Sequence, residues 1–357
     1  MIIQFIHPLD DLWVQTLQNF RYDIYHLPEY VSLEAYRTDA IPEAILVTED
    51  ERQFFVPYLL RRCDRLFDDH AETSDCFDVV SPYGYPGILL NDAAINSPEF
   101  LQKAIQQIMA EFSSKQICSA FFRLHPILNK GFEQVISTQL CQVAGETVSV
   151  NLELSETEIW SQTRSEHRNK INRTKRAGFR ARIIPFEQDV DEFITIYNET
   201  MDRVNASESY YFDRKYFLNL SRLNQQTHLC IVEHNQQVAC AGLFTECCGI
   251  VQYHLGGTKN QFLKQAPSKL MFDHVRFWAK ERGNRVFHLG GGVSGTKDSL
   301  YHFKAGFSKQ RHTFLTLRFI TDEIKYNHLV ELQAKTLGIE TEKLLQTTFF
   351  PAYRSIQ

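Results

Sequence analysis

The pattern of apolar and polar positions in this chain is written twice. Residues 44–62, AILVTEDERQFFVPYLLRR, hold two runs of β-branched and aromatic residues around the polar turn Glu49-Asp50-Glu51. Residues 228–246, HLCIVEHNQQVACAGLFTE, hold two more around His234-Asn235-Gln236. Short apolar runs joined by a polar turn predict β-hairpins. Each is followed by a further candidate strand, SPYGYPGILL at 81–90 and VQYHLGGT at 251–258, and then by a proline that opens a helical pattern. In the first copy Ser97-Pro98 precedes Leu101, Ile105, Ile108 and Phe112; in the second Ala266-Pro267 precedes Leu270, Met271, His274, Phe277 and Trp278. Proline suits the first helical turn, where an N–H would have no partner within the helix. The helical patterns lead to the apolar runs CSAFFRLH and RVFHLGGG. Strand, strand, strand, helix, strand therefore occurs twice, which predicts an α/β fold of two tandem domains, each with a mixed, mainly antiparallel sheet flanked by helices.

No Gly/Ser linker separates the copies, so the junction near residue 150 is expected to be packed. The expected division is a first domain over 1–150, a second over 151–325 that holds the candidate functional residues taken up below, and a helical tail over 326–357. Leu329, Leu332 and Leu337 recur in that tail at helical spacing, and it is expected to pack on the second domain. The first copy is longer between its second and third strands, where RCDRLFDDHAETSD (62–75) reads as a loop.

Composition adds limits. A chain of 357 residues with 43% hydrophobic positions can fill two cores. Its net charge of -5 excludes a generally basic nucleic-acid coat, and DNA is not an expected partner. One segment departs from that balance. Between Arg164 and Arg182 the cations Arg164, Arg168, Lys170, Arg173, Lys175, Arg176, Arg180 and Arg182 face a single acid, Glu166. Trp160, Thr163, His167, Ile171 and Thr174 recur there at helical spacing, and Gly178 is placed to cap the helix. A face of one sign in an acidic protein points to a polyanion, with Arg168, Lys175 and Arg176 as contacts.

The eight cysteines form no CxxC pair and several sit inside apolar runs. They read as reduced thiols, not as a disulfide frame or a zinc site, and no metal is expected. The N-terminus MIIQFIHPLDDLW has no signal-peptide pattern, and no window approaches the roughly 18 apolar residues of a membrane span. A cytoplasmic location is expected, with peripheral proximity to a membrane left open. HExxH, GxSxG and P-loop patterns are absent, which removes zinc-hydrolase and nucleoside-triphosphatase readings.

The segment His288–Phe307, HLGGGVSGTKDSLYHFKAGF, places Lys304 after a glycine triplet. Glycine permits positive φ and close backbone approach, and an amine beside such a turn can meet a phosphate or a developing oxyanion. Arg203 follows Ile196, Tyr197 and Thr200 and heads a polar loop, where a guanidinium can grip a phosphate or carboxylate. His254 and His302 flank these turns, where a histidine is more often packed than basic.

These pieces in this order resemble the Fem-type (FemABX) family of aminoacyl transferases, which are built from two GNAT-like domains. They are Trp160 with RSEHRNKINRTKRAG, Thr200-x-x-Arg203 with Phe212 and Tyr216, Tyr253-His-Leu-Gly-Gly, and LGGG followed by SLYHFKAGF; PYGYPG (82–87) is similar to the family's aromatic, glycine-rich substrate strand. The resemblance implies that Phe303 and Lys304 are catalytic, the lysine stabilising the transition state near the acceptor end of a tRNA. It implies substrate contacts at Arg203, Tyr253, Tyr83, Tyr85, Gly290, Gly291 and Ser299. It implies transfer from aminoacyl-tRNA to the amine of a nucleotide- or lipid-linked cell-wall or polysaccharide precursor, with no tightly bound cofactor.

The chain departs from the family in lacking a long helical arm over 183–228, and YHLPEYVSLEAYR offers only Arg37 where an acceptor-binding lysine is expected. It is also similar to shorter BioF2-like acyltransferases, so two alternatives stand. One is a GNAT enzyme that uses acyl-CoA, although GGTKNQFLKQAPSKLM lacks the usual pyrophosphate turn. The other is a non-catalytic protein that binds the precursor or tRNA.

Overall fold

The duplicated pattern reappears as duplicated strand pairing. In the computed structural model, which describes residues 1–63, 66–67 and 76–355, most of the loop expected over 62–75 lies outside the described residues. The chain runs through β1 (Ile2–Ile6), α1 (Asp11–Leu17), α2 (Pro28–Thr38), β2 (Ile41–Glu49), β3 (Arg52–Arg62), β4 (Phe77–Val80) and β5 (Leu89–Leu90). Next come α3 (Asp92–Ile95), α4 (Pro98–Ser114), β6 (Ile117–Arg123), β7 (Cys141–Asn151), α5 (Glu156–Gln162), α6 (Ser165–Arg176) and β8 (Arg180–Pro185). There follow α7 (Val190–Arg203), α8 (Arg214–Ser221), β9 (Thr227–His234), β10 (Gln237–Cys247), β11 (Ile250–Thr258) and α9 (Pro267–Glu281). The chain ends with β12 (Val286–Gly290), α10 (Ser299–Ala305), β13 (Gln310–Ile320), α11 (Glu323–Leu337) and α12 (Thr341–Leu345).

Two compact units result: residues 1–144 with 314–357, and residues 145–313. The strand order of the first is β1-β2-β3-β4-β6-β13 and of the second β8-β9-β10-β11-β12-β7. In each, one neighbouring pair is parallel, β4 with β6 and β11 with β12, and the other pairs with a printed register are antiparallel. The parallel pairs require crossovers, and α4 and α9 supply them. Both helices begin at the expected prolines. The first buries its expected face, Leu101, Ile105, Ile108 and Phe112; of the second's expected residues Leu270 and Met271 are buried, joined by Val275, while His274, Phe277 and Trp278 stay partly exposed. The second hairpin closes tightly, His234 opposite Gln237, with Asn235 and Gln236 at φ 48° and 62°. Positive φ at both loop residues matches the twist of the flanking strands.

Three expectations are corrected. The segment 81–88 is not a strand: β4 takes the third-strand role in the first unit, and Pro82, Pro86 and the left-handed Gly84 and Gly87 keep the PYGYPG segment in a loop. The division at 150 and 325 does not match the units, because each unit takes its last strand from the other half of the sequence. Thus β13 pairs with β6 and β7 with β12. Finally, the tail packs on the first unit, not the second. Tyr326, Leu329 and Val330 of α11 join Cys63, Cys118 and Tyr353 in one buried cluster, and the Tyr353 hydroxyl donates to Asp78 at 3.0 Å. Apolar spacing shows that a helix will be covered, not by which sheet.

Candidate functional site

In the second unit the parallel pair opens into a fork. Strands β11 and β12 pair only over Ile250–Gln252 and Val286–His288, after which their carboxyl ends part. Ligands in α/β proteins enter at the carboxyl ends of parallel strands, where the connections leave a crevice. Bulges mark both arms: His254 is an extra residue between the Leu255 and Tyr253 pairings to β10, and Leu289 is extra between the His288 and Gly290 pairings to β7. Bulges re-aim side chains and interrupt the ladder, as is common beside active sites.

Lys304 reaches across this fork. It sits in the last turn of α10, 6% exposed, and its Nζ donates to the Gly291 carbonyl at 2.6 Å on one arm while lying 5.6 Å from the Tyr253 ring centroid on the other. Burial pushes its pKa down to about 7, a fall that the Asp298 carboxylate opposes in part. The amine therefore changes charge near neutral pH. The half-buried Tyr253 ring sits against Phe244 and Phe272, and burial raises its phenol above the ordinary value.

The glycines explain how a lysine from a short helix can be held there. Gly290 has φ 78°, and a Cβ at Gly291 would stand 2.8 Å from the Glu146 carbonyl, at Gly292 2.1 Å from that of Thr296. Asp298, which the sequence reading passed over, ties the turn to the helix: its carboxylate accepts from Tyr301 N at the head of α10 and from Val293 N within the turn. An Asp just before a helical apolar run is an N-cap signal and could have been read as one. Gly290–Gly295 also spells the G-x-G-x-x-G of dinucleotide-binding turns. No helix starts at Gly295, however, and the carboxylate of Asp298 occupies the place where such a turn needs a free anion site. Opposite α10, Glu146 accepts from the Tyr301 hydroxyl and lies near Lys297 and Arg311. The Tyr301 hydroxyl, then Lys297 and Arg311, hold its carboxyl below the usual range.

The basic helix is fastened to this site. It ends as expected at Gly178, with Phe179 N donating to Thr174 O and Gly178 N to Lys175 O, the bond pair of a Schellman cap. Its buried His167 shares a 2.9 Å bond with the Phe303 carbonyl, and its ring meets Phe307 edge-on at 4.9 Å. A Cβ on Gly306 would sit 2.3 Å from His167 Nε2. Gly306→Ala should therefore displace the His167 ring and cost about 1–3 kcal/mol. Urea unfolding checks this, and an unchanged midpoint would refute it. Among the described residues, Arg164, Arg168, Lys170, Arg173, Arg176 and Arg180 have no carboxylate in ion-pair reach, whereas Lys175 is paired with Asp273 at 2.8 Å and Arg182 with Glu233 at 2.7 Å. Lys175 also lines a hollow of about 340 Å³ with Asp273, His274, Phe277 and Trp278, away from Lys304.

The remaining expected residues are spread out. Phe303 packs its ring on Phe272 and Phe307 at 5.2 and 5.4 Å, so it buttresses the Lys304 helix. Ser299 is exposed at the first position of α10. Arg203 ends α7 and donates to Thr258 O at 3.0 Å, Asn260 Oδ1 at 2.6 Å and Thr200 Oγ1 at 3.2 Å. That places it at the far end of β11, roughly 15 Å along the strand from Tyr253 at about 3.4 Å per residue. Helix α7 lies close on β11 there, since a Cβ at Gly257 would meet the Ile196 carbonyl at 2.5 Å. Tyr83 and Tyr85 belong to the first unit, where the Tyr83 carbonyl accepts from Tyr30 and the Tyr85 ring meets Phe314 edge-on. Arg37 is paired there with the buried Glu34 at 2.7 Å. Among the described residues no helix is long and apolar enough to cross a membrane.

Comparison with known proteins bears on the fold. Residues 161–304 match the model of the acetyltransferase (GNAT) domain family. Among solved structures, that of FemX is similar with a TM-score of 0.70 and 12% identity, covering 92% of this chain and 99% of FemX. A conserved protein of unknown function from Bacteroides thetaiotaomicron gives 0.53 and 10%, covering 89% and 99%. The C-terminal domain of a proposed lysylphosphatidylglycerol synthetase from Agrobacterium fabrum gives 0.51 and 12%, covering 81% and 86%. No curated protein matches. The chain thus has the Fem-type, GNAT-like fold.

Proposed function

We propose that this chain, with the fold of FemX and a GNAT domain over 161–304, is an aminoacyltransferase that moves an aminoacyl group from charged tRNA to the amine of a cell-wall or sugar-nucleotide-linked precursor. The observation that carries acyl transfer is the buried Lys304 amine spanning the fork between Gly291 and Tyr253. An aminoacyl ester is already activated, so the reaction needs an oriented amine, loss of its proton and stabilisation of a tetrahedral oxyanion. The nucleophile attacks the ester carbonyl, the ribose oxygen leaves, and no covalent enzyme intermediate is required. Lys304 in its protonated form supplies positive charge to the oxyanion, in a site dry enough to strengthen that interaction. Tyr253 lines the fork. Arg203 binds acceptor phosphate at the outer end of β11, and Ser299 and the glycine turn border the donor.

The tRNA donor is favoured by α6. Its unpaired cations lie on the helix whose His167 is bonded to Phe303, so a polyanion held there lies next to the Lys304 helix. An acyl-CoA donor is the second reading, favoured by the family match over 161–304. Against it, α9 offers little to a pyrophosphate: Pro267 has no N–H, Lys269 N donates to Ala266 O, and the Lys269 amine is paired with Glu166.

The test is transfer of label to a pool of UDP-sugar and lipid-linked precursors from charged tRNA or from acetyl-CoA. Transfer from tRNA is expected, and the triple variant Arg168→Gln, Arg173→Gln, Arg176→Gln should flatten the salt dependence of tRNA binding by roughly 2 units in log–log slope. Labelling from acetyl-CoA alone would overturn the donor assignment. No transfer from either donor, with precursor still bound, would make the chain a binding protein.

A further inference from the structure

Three cysteines far apart in sequence converge in the first unit. Cys63, Cys76 and Cys118 are buried, and their sulfurs all lie within 4.8 Å of one another. Strand register accounts for two of them. Arg62 of β3 stands opposite Phe77 of β4, so Cys63 and Cys76 continue the ladder, and Cys63 N donates to Cys76 O at 2.9 Å. The third comes from the other neighbour of β4. Phe77 faces Ile117 and Asp78 faces Ser119, which makes Cys118 the extra residue of a bulge in β6. A bulge breaks the alternation of side chains and can turn one toward the end of a neighbouring strand. The C-terminal tail closes the cluster, with Tyr326, Ala352 and Tyr353 packed around it and the Tyr353 hydroxyl 3.5 Å from Cys118 Sγ.

The charges around the trio suit an anionic centre. Asp78 is occupied by Arg61 at 2.7 Å, by Tyr353 at 3.0 Å and by Arg354, so its carboxylate is not available as a ligand. Two guanidiniums thus share one carboxylate, and the Lys325 ammonium is near enough to act on Cys76. A divalent ion with three thiolates carries a net charge of about -1, which these cations, taken among the described residues, offset. Hydrophobic packing explains why cysteines are buried. It does not call for sulfurs from the ends of two strands and a bulge in a third to meet at one point beside cations.

We propose that Cys63, Cys76 and Cys118 form a structural site for a thiophilic divalent cation of the zinc class. Zinc–sulfur bonds of about 2.3 Å place tetrahedral sulfurs about 3.8 Å apart, so the sulfurs need to draw together by no more than about 1 Å. Among the described residues no further His, Cys, Asp or Glu joins the three. Binding converts the three cysteines and one cation to a tris-thiolate complex and releases the protons that the thiols still carry. The metal cross-links β3, β4 and β6 under the tail.

The test uses the full chain. Elemental analysis of the purified protein should show one zinc per chain. After the zinc is stripped with a chelator, Co2+ added to the metal-free chain should give a thiolate-to-metal charge-transfer band at one equivalent, with release of the thiol protons. Cys63→Ser and Cys76→Ser should each weaken Co2+ binding by at least about a hundredfold, more than loss of an outer-shell partner does. The exposed Cys248, as Cys248→Ser, should leave the band unchanged. Should the serine variants unfold, the wild-type band and its proton count still decide the matter. No band in the wild type, a band that survives Cys76→Ser, or an intact mass two hydrogens lighter from a disulfide within the trio would each overturn the site.

Discussion

Replacing Lys304 by methionine should lower acyl transfer by about 10²–10³-fold, the usual loss when one oxyanion-stabilising group is removed. Substrate binding should change little, because Arg203 and the cations of α6 are untouched. The pH profile separates this role from a packing role. Lys304 has a pKa of about 7, so its cation is lost as pH rises through neutrality, while the attacking amine must lose its own proton. The rate should rise with pH and then fall on a limb near 7. In Lys304→Arg the cation persists, so the falling limb should disappear even if the maximum is lower. A limb that remains in the arginine variant would assign it to another group. If Lys304→Met kept full activity, the catalytic assignment would fail.

Stability supplies an internal control for the same variant. The folded-state pKa of Lys304 lies below its ordinary value of 10.5, so the unfolded chain binds more protons between about 7 and 10.5. The lysine is therefore most costly to the fold below about pH 7, and that cost declines as pH rises toward 10.5. Lys304→Met should be at least as resistant to urea as the wild type at pH 6, with the advantage shrinking at high pH. Loss of activity in such a variant cannot be ascribed to unfolding.

Asp273→Ala should be the most damaging single change to the second unit, at about 3–5 kcal/mol. Asp273 is 1% exposed and Arg276 is fully buried, their oxygen and nitrogen 2.5 Å apart. The guanidinium also donates to Thr163 Oγ1 at 2.7 Å and lies against the rings of Trp160, Phe277 and Phe307. Removing the carboxylate leaves a cation without its counter-charge in a closed site and releases Lys175 as well. Thr163 is the joint between α5 and α6, and Arg164 N beside it donates to Gly306 O at 2.8 Å just past the Lys304 helix. The variant should therefore lose activity together with stability. The urea midpoint and the transfer rate measure both; a midpoint within about 0.5 kcal/mol of the wild type would show that the pair contributes little.

The fold was legible where its signals are local. Both hairpins, the prolines that start α4 and α9, and the Gly178 cap of α6 depend on residues within a few positions of one another. So does the duplication itself, which the structure repeats down to the single parallel pair in each unit. The third strand of the first unit was misplaced because PYGYPG carries aromatic residues that favour strands, while its prolines and positive-φ glycines exclude it from a ladder. At the site, Lys304, Phe303 and Tyr253 do come together. Arg203 stands at the other end of β11, Asp298, Glu146 and the Asp273–Arg276 pair were not singled out, and His167 was read only as part of the buried stripe of α6. Asp298 left a local N-cap signal, whereas the others act through partners distant in sequence.

By itself, then, the sequence determined that two α/β units of one design would form, that a basic helix would follow the first copy of the pattern, and that Lys304 would follow a glycine turn. Periodicity, turn chemistry and capping are encoded residue by residue, so they can be read in order. Only the tertiary structure decided that β7 and β13 complete units drawn from the opposite halves of the chain, that the tail covers the first unit, that three separate cysteines share one point, and that Lys304 is buried enough to titrate near 7. Strand partners, thiol clusters and desolvation depend on which distant surfaces meet, and a one-dimensional pattern does not specify that.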